Sequence, residues 1–570
     1  MTQPPDQPPQ GGYGAPQGQG PYPPPQFPPP PPPSGPPQPY GYGHPNPYGP
    51  PQPQYGAAPT PYGGPPHAQP PYGRPPYGHQ PPPGGGRKRN GRMVAVAAVA
   101  AVALLVGAGV WYASTTGGAT GKDDRADSAG PGGGNGEAGG GDPSAAGTEA
   151  RERVPSDTAS EVLFQVPAPK VEGDASYVVQ GSWLTDRVYA KSGIAEVVGY
   201  DLDKGTKRWT VKLPGPVCDA SRHMTADHRT AVLFQPAMPT EKKRSHGCSE
   251  VAVIDLEAGE KVWSGSVERG AGKAVFSNVT LSGTTVAVGG VNGGAAFDLP
   301  TGDLLWSPKS DATCYDAGYG GGPALVVLRK CGEYGGERQL RVQTLDAETG
   351  RPLSEYRMTP GIDYASIVST EPLVVAADAG DSAGDGSGIS DFFSVDGRTG
   401  ELRARITAPG DKYAARCDGI MQIENCSQLA VGNGKLYVAT EEHDGKAEHS
   451  RTNEIVAFDL GTGKQTGERA DAGDGYTLAP LRMDGPDLIA YKRPPYDESG
   501  QVVSIDGGSF EATTLLETPA DETVRRTEAR FTPAYAEILY GDGRLFMSRV
   551  FTGRLYGDGT EYLAVAFGAE

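Results

Sequence analysis

Apolar and polar residues alternate from Val198 to Leu202, break at a short turn from Asp201 to Gly205, and alternate again to Leu213. Period two predicts a pair of half-buried strands. The Asp201 side chain can bond the backbone two residues on, and Gly205 can take the left-handed conformation that closes a hairpin. A lone hairpin is marginal in water, so recurrence decides what it means. The pattern returns at 251–263, 295–306, 342–354, 392–404, 455–467 and 502–514, with turn aspartates Asp255, Asp298, Asp346, Asp396, Asp459 and Asp506. Gly259, Gly302, Gly350, Gly400 and Gly463 follow at the position of Gly205. The spacing, about 40 to 65 residues, suits one four-stranded sheet per repeat.

A second strand type lies between the hairpins, at 186–190, 230–234, 284–288, 324–328, 372–376, 435–439, 487–491 and 544–548. The chain then ends in EYLAVAFGAE, an apolar run that stops before its turn and leaves one strand missing. EVLFQVPAP at 161–169 resembles RWTVKLPGP at 208–216, the second arm of the first hairpin, and stands alone before the first repeat. Pairing it into the last sheet closes a ring and removes the exposed edges. Residues 159–570 therefore read as an all-β, eight-bladed β-propeller, with a seven-bladed ring as the other count.

The run from Asp298 to Trp306 reads D-x-x-T-G-x-x-x-W, with looser copies ending in Trp209 and Trp263. It resembles the pyrroloquinoline-quinone-like repeat shared by quinoprotein alcohol dehydrogenases and BamB-like propellers. The resemblance implies that the three Trp rings dock onto neighbouring blades. The family's enzymes carry an adjacent Cys-Cys pair beside a quinone, with calcium and a catalytic Asp in the central funnel. This chain has no adjacent cysteines, so the repeat implies architecture without the cofactor.

The chain before the propeller has a different character. Residues 1–92 are Pro, Gly, Gln and Tyr, ending in the basic cluster RKRNGR, and cannot bury a core. Residues 93–112 carry no charge, long enough at about 1.5 Å per residue to cross a bilayer core of about 30 Å. The positive-inside rule then predicts a signal anchor with a cytoplasmic N-terminus and an extracellular propeller. Residues 113–158, rich in Gly, Ala and Asp, read as a flexible external linker.

Charge adds one exclusion. The chain carries a net −18, and before Met93 only Asp6 opposes Arg74, Arg87, Lys88, Arg89 and Arg92, leaving −22 for the remainder. Phosphate affinity comes from clustered cations, so nucleic acid is not an expected partner. All six cysteines follow the apolar segment, and neighbours are expected to pair: Cys218 with Cys248, Cys314 with Cys331, Cys417 with Cys426.

His223, His228 and His246 lie between Cys218 and Cys248 but match no zinc spacing. The acidic stretch 378–391 fails as a calcium loop, with Ala383 and Phe392 at ligand positions counted from Asp381. No catalytic or metal residue is expected. The sequence points to a membrane-anchored, external scaffold or ligand sensor for an envelope protein or small ligand. A divergent quinoprotein-type enzyme and an envelope polysaccharide-binding module are the competing readings.

Overall fold

The computed structural model describes residues 151–569, apart from 309–312, 333–337, 380–382, 384–388, 418–421 and 555–559. The expected anchor, 93–112, with the tail before it and the linker as far as residue 150, lies outside them. Among the described residues no helix is long and apolar enough to cross a membrane.

Eight four-stranded antiparallel sheets follow one another: blade 1 at 182–212, blade 2 at 217–265, blade 3 at 278–306 and blade 4 at 314–357. Blade 5 spans 365–407, blade 6 429–471 and blade 7 477–517. Blade 8 takes three strands from 536–568, and its fourth is Glu161–Pro167. That strand runs antiparallel to Tyr562–Gly568, with Val162 opposite Phe567 and Gln165 opposite Val565, so the first and last strands of the propeller close the ring.

First strands face the axis and are buried, whereas fourth strands form the rim and are largely exposed. Each neighbouring pair of blades shares one apolar cluster, which makes eight clusters among the described residues. Burial between blades, at roughly 25 cal/mol per Å² of apolar surface, holds the wheel together, because among the described residues no hydrogen-bond ladder runs from one blade to the next.

The repeat turn shows why its residues recur. In blades 1 to 6 the glycine N–H donates to the aspartate carbonyl at 2.8–3.0 Å, from Gly205 to Asp201 through Gly463 to Asp459. All six glycines have positive φ. The aspartate carboxylate accepts backbone N–H groups two or three residues on, as Asp255 does from Ala258 at 2.8 Å. In blade 7 the left-handed position falls to Phe510, φ 61°, whose ring is buried between blades 6 and 7.

The same glycines also admit the tryptophans. A Cβ on Gly259 would lie 2.1 Å from the Trp209 ring, one on Gly302 2.8 Å from Trp263, and one on Gly350 3.0 Å from Trp306. Each ring sits in the rim strand of one blade and covers the turn of the next. At the seam Phe164 of the closing strand covers Gly205 in this way, at 2.2 Å.

Candidate functional site

A propeller's axis is where side chains from many blades converge, so the axis is the first place to look for chemistry. Among the described residues the inner strands of neighbouring blades form no continuous ladder there, and many of their backbone donors need other partners. Acidic and amide side chains supply them. Glu537 accepts the Gly181 N–H at 2.8 Å, Asp219 that of Val279 at 2.7 Å, Asn278 that of Tyr319 at 2.7 Å, and Asn453 that of Leu478 at 2.7 Å. Burial pushes the Asp219 carboxyl well above the usual aspartate range, the Val279 N–H opposing the shift.

The connection between blades 5 and 6 then enters the axis. Cys417 and Cys426 are joined, and between them Gln422, Ile423 and Asn425 are buried. Ile423 accepts the Ile367 N–H from blade 5 at 2.7 Å, and it fills the space where a side chain on Gly318 of blade 4 would begin. Glu424 accepts the Gly321 N–H at 2.8 Å and meets His223 Nε2 at 2.9 Å, 201 residues away. Arg222 donates to the Glu424 carbonyl at 2.9 Å. Burial opposes the charge on Glu424, but the contact with His223 and the nearby Arg222 guanidinium outweigh it and hold the carboxyl below the usual glutamate range.

This plug divides the axial space. On one side lies a cavity of about 50 Å³, bordered by Ser182, Cys426, Pro480 and Glu537; on the other, one of about 20 Å³ beside His223 and Glu424. Such volumes hold a few waters. The His223–Glu424 pair has the composition of an acid/base dyad, and the cavity beside it measures about 20 Å³. Pyrroloquinoline quinone, a rigid tricyclic tricarboxylate, is larger than either of these described cavities, and no step is derived through it.

A buried ion pair sits at the seam. Lys191 of blade 1, fully buried, donates to Glu537 of blade 8 and to the Val179 carbonyl at 2.6 Å. It ties the first blade to the last.

The remaining sequence-selected residues lie away from the axis. Cys218 pairs with Cys248 within blade 2, which removes both from any metal set with the nearby histidines. His228 occupies a left-handed turn, and the His246 N–H bonds Gln235. Cys314 and Cys331 face each other across the first two strands of blade 4. The acidic stretch 378–391 lies partly outside the described residues. Its Asp391 is held by Arg405 at 2.8 Å and Thr407 at 3.0 Å. No metal-binding group of three or more His, Cys, Asp or Glu occurs among the described residues. Sequence reasoning weighed His223 only as a metal ligand and did not find Glu424, Lys191 or Glu537 as a site. The one available signal was the apolar content of the Cys417–Cys426 loop, DGIMQIEN, where a solvent-facing turn would be polar.

Residues 247–489 match the sequence model of the family described as outer membrane protein assembly factor BamB. Among solved structures, BamB from Moraxella catarrhalis is 11 % identical, the match covering 69 % of this chain and 98 % of that one, with a TM-score of 0.38. A quinohemoprotein alcohol dehydrogenase from Pseudomonas putida HK5 is 12 % identical over 70 % and 76 %, with a TM-score of 0.38. A europium-containing methanol dehydrogenase is 11 % identical over 72 % and 93 %, with a TM-score of 0.40. No curated protein matches the chain.

Proposed function

We propose that this BamB-like propeller is a non-catalytic binding module, displayed outside the cell on a single membrane-spanning anchor, where it serves as an interaction scaffold or ligand sensor. The observation that carries the non-catalytic reading is the plug. Toward the axis, where the resemblance would put a quinone and its metal, Ile423 and Glu424 of the chain itself reach in and contact blade 4. External display is supported by the uncharged run 93–112 after RKRNGR, and by three disulfides, which persist in oxidising compartments.

Two measurements test the two halves. Protease added to intact, wall-stripped cells should remove the propeller and spare an N-terminal fragment of about ninety residues; a protected propeller would overturn the external assignment. Purified full-length protein incubated with calcium and pyrroloquinoline quinone should return to the absorbance of the apoprotein after desalting. A retained quinone chromophore with dye-linked alcohol oxidation would overturn the non-catalytic reading.

A further inference from the structure

The chain from residue 93 on carries a net −22, yet its cations are not spread evenly. The loop joining the second and third strands of blade 2, residues 235–249, holds the run Lys242, Lys243 and Arg244, all three exposed. Its single acidic residue is Glu241. Among the described residues no carboxylate forms a salt bridge with any of the three cations. The loop is fixed near both ends and across the turn that carries the run. Cys218 holds Cys248, the His246 N–H donates to Gln235 at 2.8 Å, and Thr240 and Lys243 exchange backbone hydrogen bonds at 2.9 and 3.1 Å. A loop ordered beforehand loses less entropy when a partner arrives.

A second basic element stands beside it. Glu268–Arg269 and Gly272–Lys273 form a small hairpin between blades 2 and 3, and the chain that follows touches the loop. The Phe276 N–H donates to the Cys248 carbonyl at 2.9 Å, and a Cβ on Gly247 would meet the Val275 side chain at 2.9 Å. Arg269 donates to Asn292 at 2.7 Å, and Asn292 to the Val275 carbonyl at 3.1 Å. Lys273 takes up Glu250 at 2.7 Å. Five cations of the loop and hairpin therefore stand with three carboxylates, Glu241, Glu250 and Glu268. Met238 in the loop and Val275 after the hairpin, 44 % and 36 % exposed, add apolar surface. The patch lies on the face opposite the repeat turns, because the loop enters the strand Glu250–Asp255 at the end away from the Asp255 turn. Arg151 and Glu152 meet Asp487 and Asp484 on the other face, at the end of blade 7 that carries its repeat turn.

We infer that this patch beside blades 2 and 3 is a docking surface for an acidic segment of a partner protein that carries apolar side chains among its carboxylates. Lys242, Lys243 and Arg244 engage the carboxylates, and Met238 and Val275 receive the apolar groups. Charge complementarity selects the sign of the partner, and scale selects its class. An anionic lipid surface is broad and meets the field of the whole acidic propeller, which repels it. A short segment meets only the charges within a screening length, about 10 Å at 0.1 M salt, and there the balance is positive. Position agrees, since an anchor preceding residue 151 holds the opposite face. The inference rests on the scaffold reading and names its partner surface. Neither protease topology nor quinone retention involves this loop, so the two succeed or fail separately.

The experiment titrates the full-length chain, purified in detergent, into a fluorescein-labelled twelve-residue peptide of eight glutamates and four leucines, and follows fluorescence anisotropy. Binding should saturate at 50 mM salt and weaken at least fivefold at 200 mM. A peptide with serine in place of leucine should bind at least threefold more weakly, and one with lysine in place of glutamate should not bind. The triple variant Lys242→Gln, Lys243→Gln, Arg244→Gln should keep the melting temperature and lose at least fivefold in affinity. Lys204→Gln, Lys207→Gln, Lys261→Gln removes three charges from the repeat-turn side of blades 1 and 2 and should bind as the wild type does. Saturable binding lost only in the first variant supports the patch. No saturable binding by the wild type up to 1 mM, or equal losses in the two variants, would overturn it. So would tighter binding to phosphatidylglycerol vesicles, lost in the first variant, which would make the patch a membrane contact.

Discussion

At the scale of single residues the repeat turn carries two demands at once. Gly259 must hold a positive φ and must also leave room for the Trp209 ring, so an added Cβ would meet both strain and a clash. Gly434 has a positive φ with nothing within 4 Å, and only the first demand applies there. The turn aspartates carry the electrostatics. The Arg403 guanidinium and the N–H groups of Thr399 and Arg398 hold the Asp396 carboxyl at about 2, and Asp201, Asp346, Asp459 and Asp506 are also lowered by the donors of their turns. A carboxyl lowered on folding stabilises the folded state above its unfolded value of about 3.8, and this contribution disappears as pH falls through the folded value. The urea midpoint should therefore drop between about pH 4 and pH 2, and Asp396→Asn should make that drop shallower. An identical acid limb in the variant would remove Asp396 from the account.

At the scale of elements the loop between blades 5 and 6 has more consequence than its length suggests. Its ends are joined by the Cys417–Cys426 disulfide across a separation of nine residues, and its centre reaches blades 2, 4 and 5. A short loop fixed at both ends loses little further entropy on docking, which lets a few buried groups hold it in the axis. The double variant Cys417→Ser, Cys426→Ser should cost about 2–4 kcal/mol. It should also speed hydrogen exchange at Gln422 to Asn425, whereas Cys314→Ser with Cys331→Ser should leave exchange there unchanged. Equal protection in both variants would mean that the plug is held without its disulfide.

At the scale of the whole molecule the question is what keeps a ring from opening. Blade 8 is the seam, built from both ends of the propeller, and it is secured three times. The closing strand pairs with Tyr562–Gly568, Phe164 packs over Gly205 of blade 1, and Lys191 of blade 1 pairs with Glu537 of blade 8. Before the strand begins, Glu152 already pairs with Arg482 of blade 7, and Thr158 and Ser160 exchange backbone bonds with Glu517. Glu537→Gln leaves a buried ammonium without its counter-ion and should cost about 3–5 kcal/mol, while Lys191→Met with Glu537→Leu should recover most of that loss. Denaturant unfolding of the two variants measures it, and equal losses in single and double variant would show that the pair is not what secures the seam.

Much of this architecture was determined by the sequence alone, because it rests on local rules. Period-two alternation, an aspartate and a glycine four residues apart, and their recurrence are short-range features. They yielded the all-β class, the blade count and the strand that closes the ring. The neighbour-by-neighbour disulfides were within reach for the same reason, since each lies within a blade or a single loop. Only the tertiary structure decided the site. His223 and Glu424 are 201 residues apart and meet because eight sheets radiate from one axis. Lys191 meets Glu537 because the first and last blades are neighbours in a closed ring. Periodicity along a chain specifies which way side chains point; what they point at is fixed by closure of the ring.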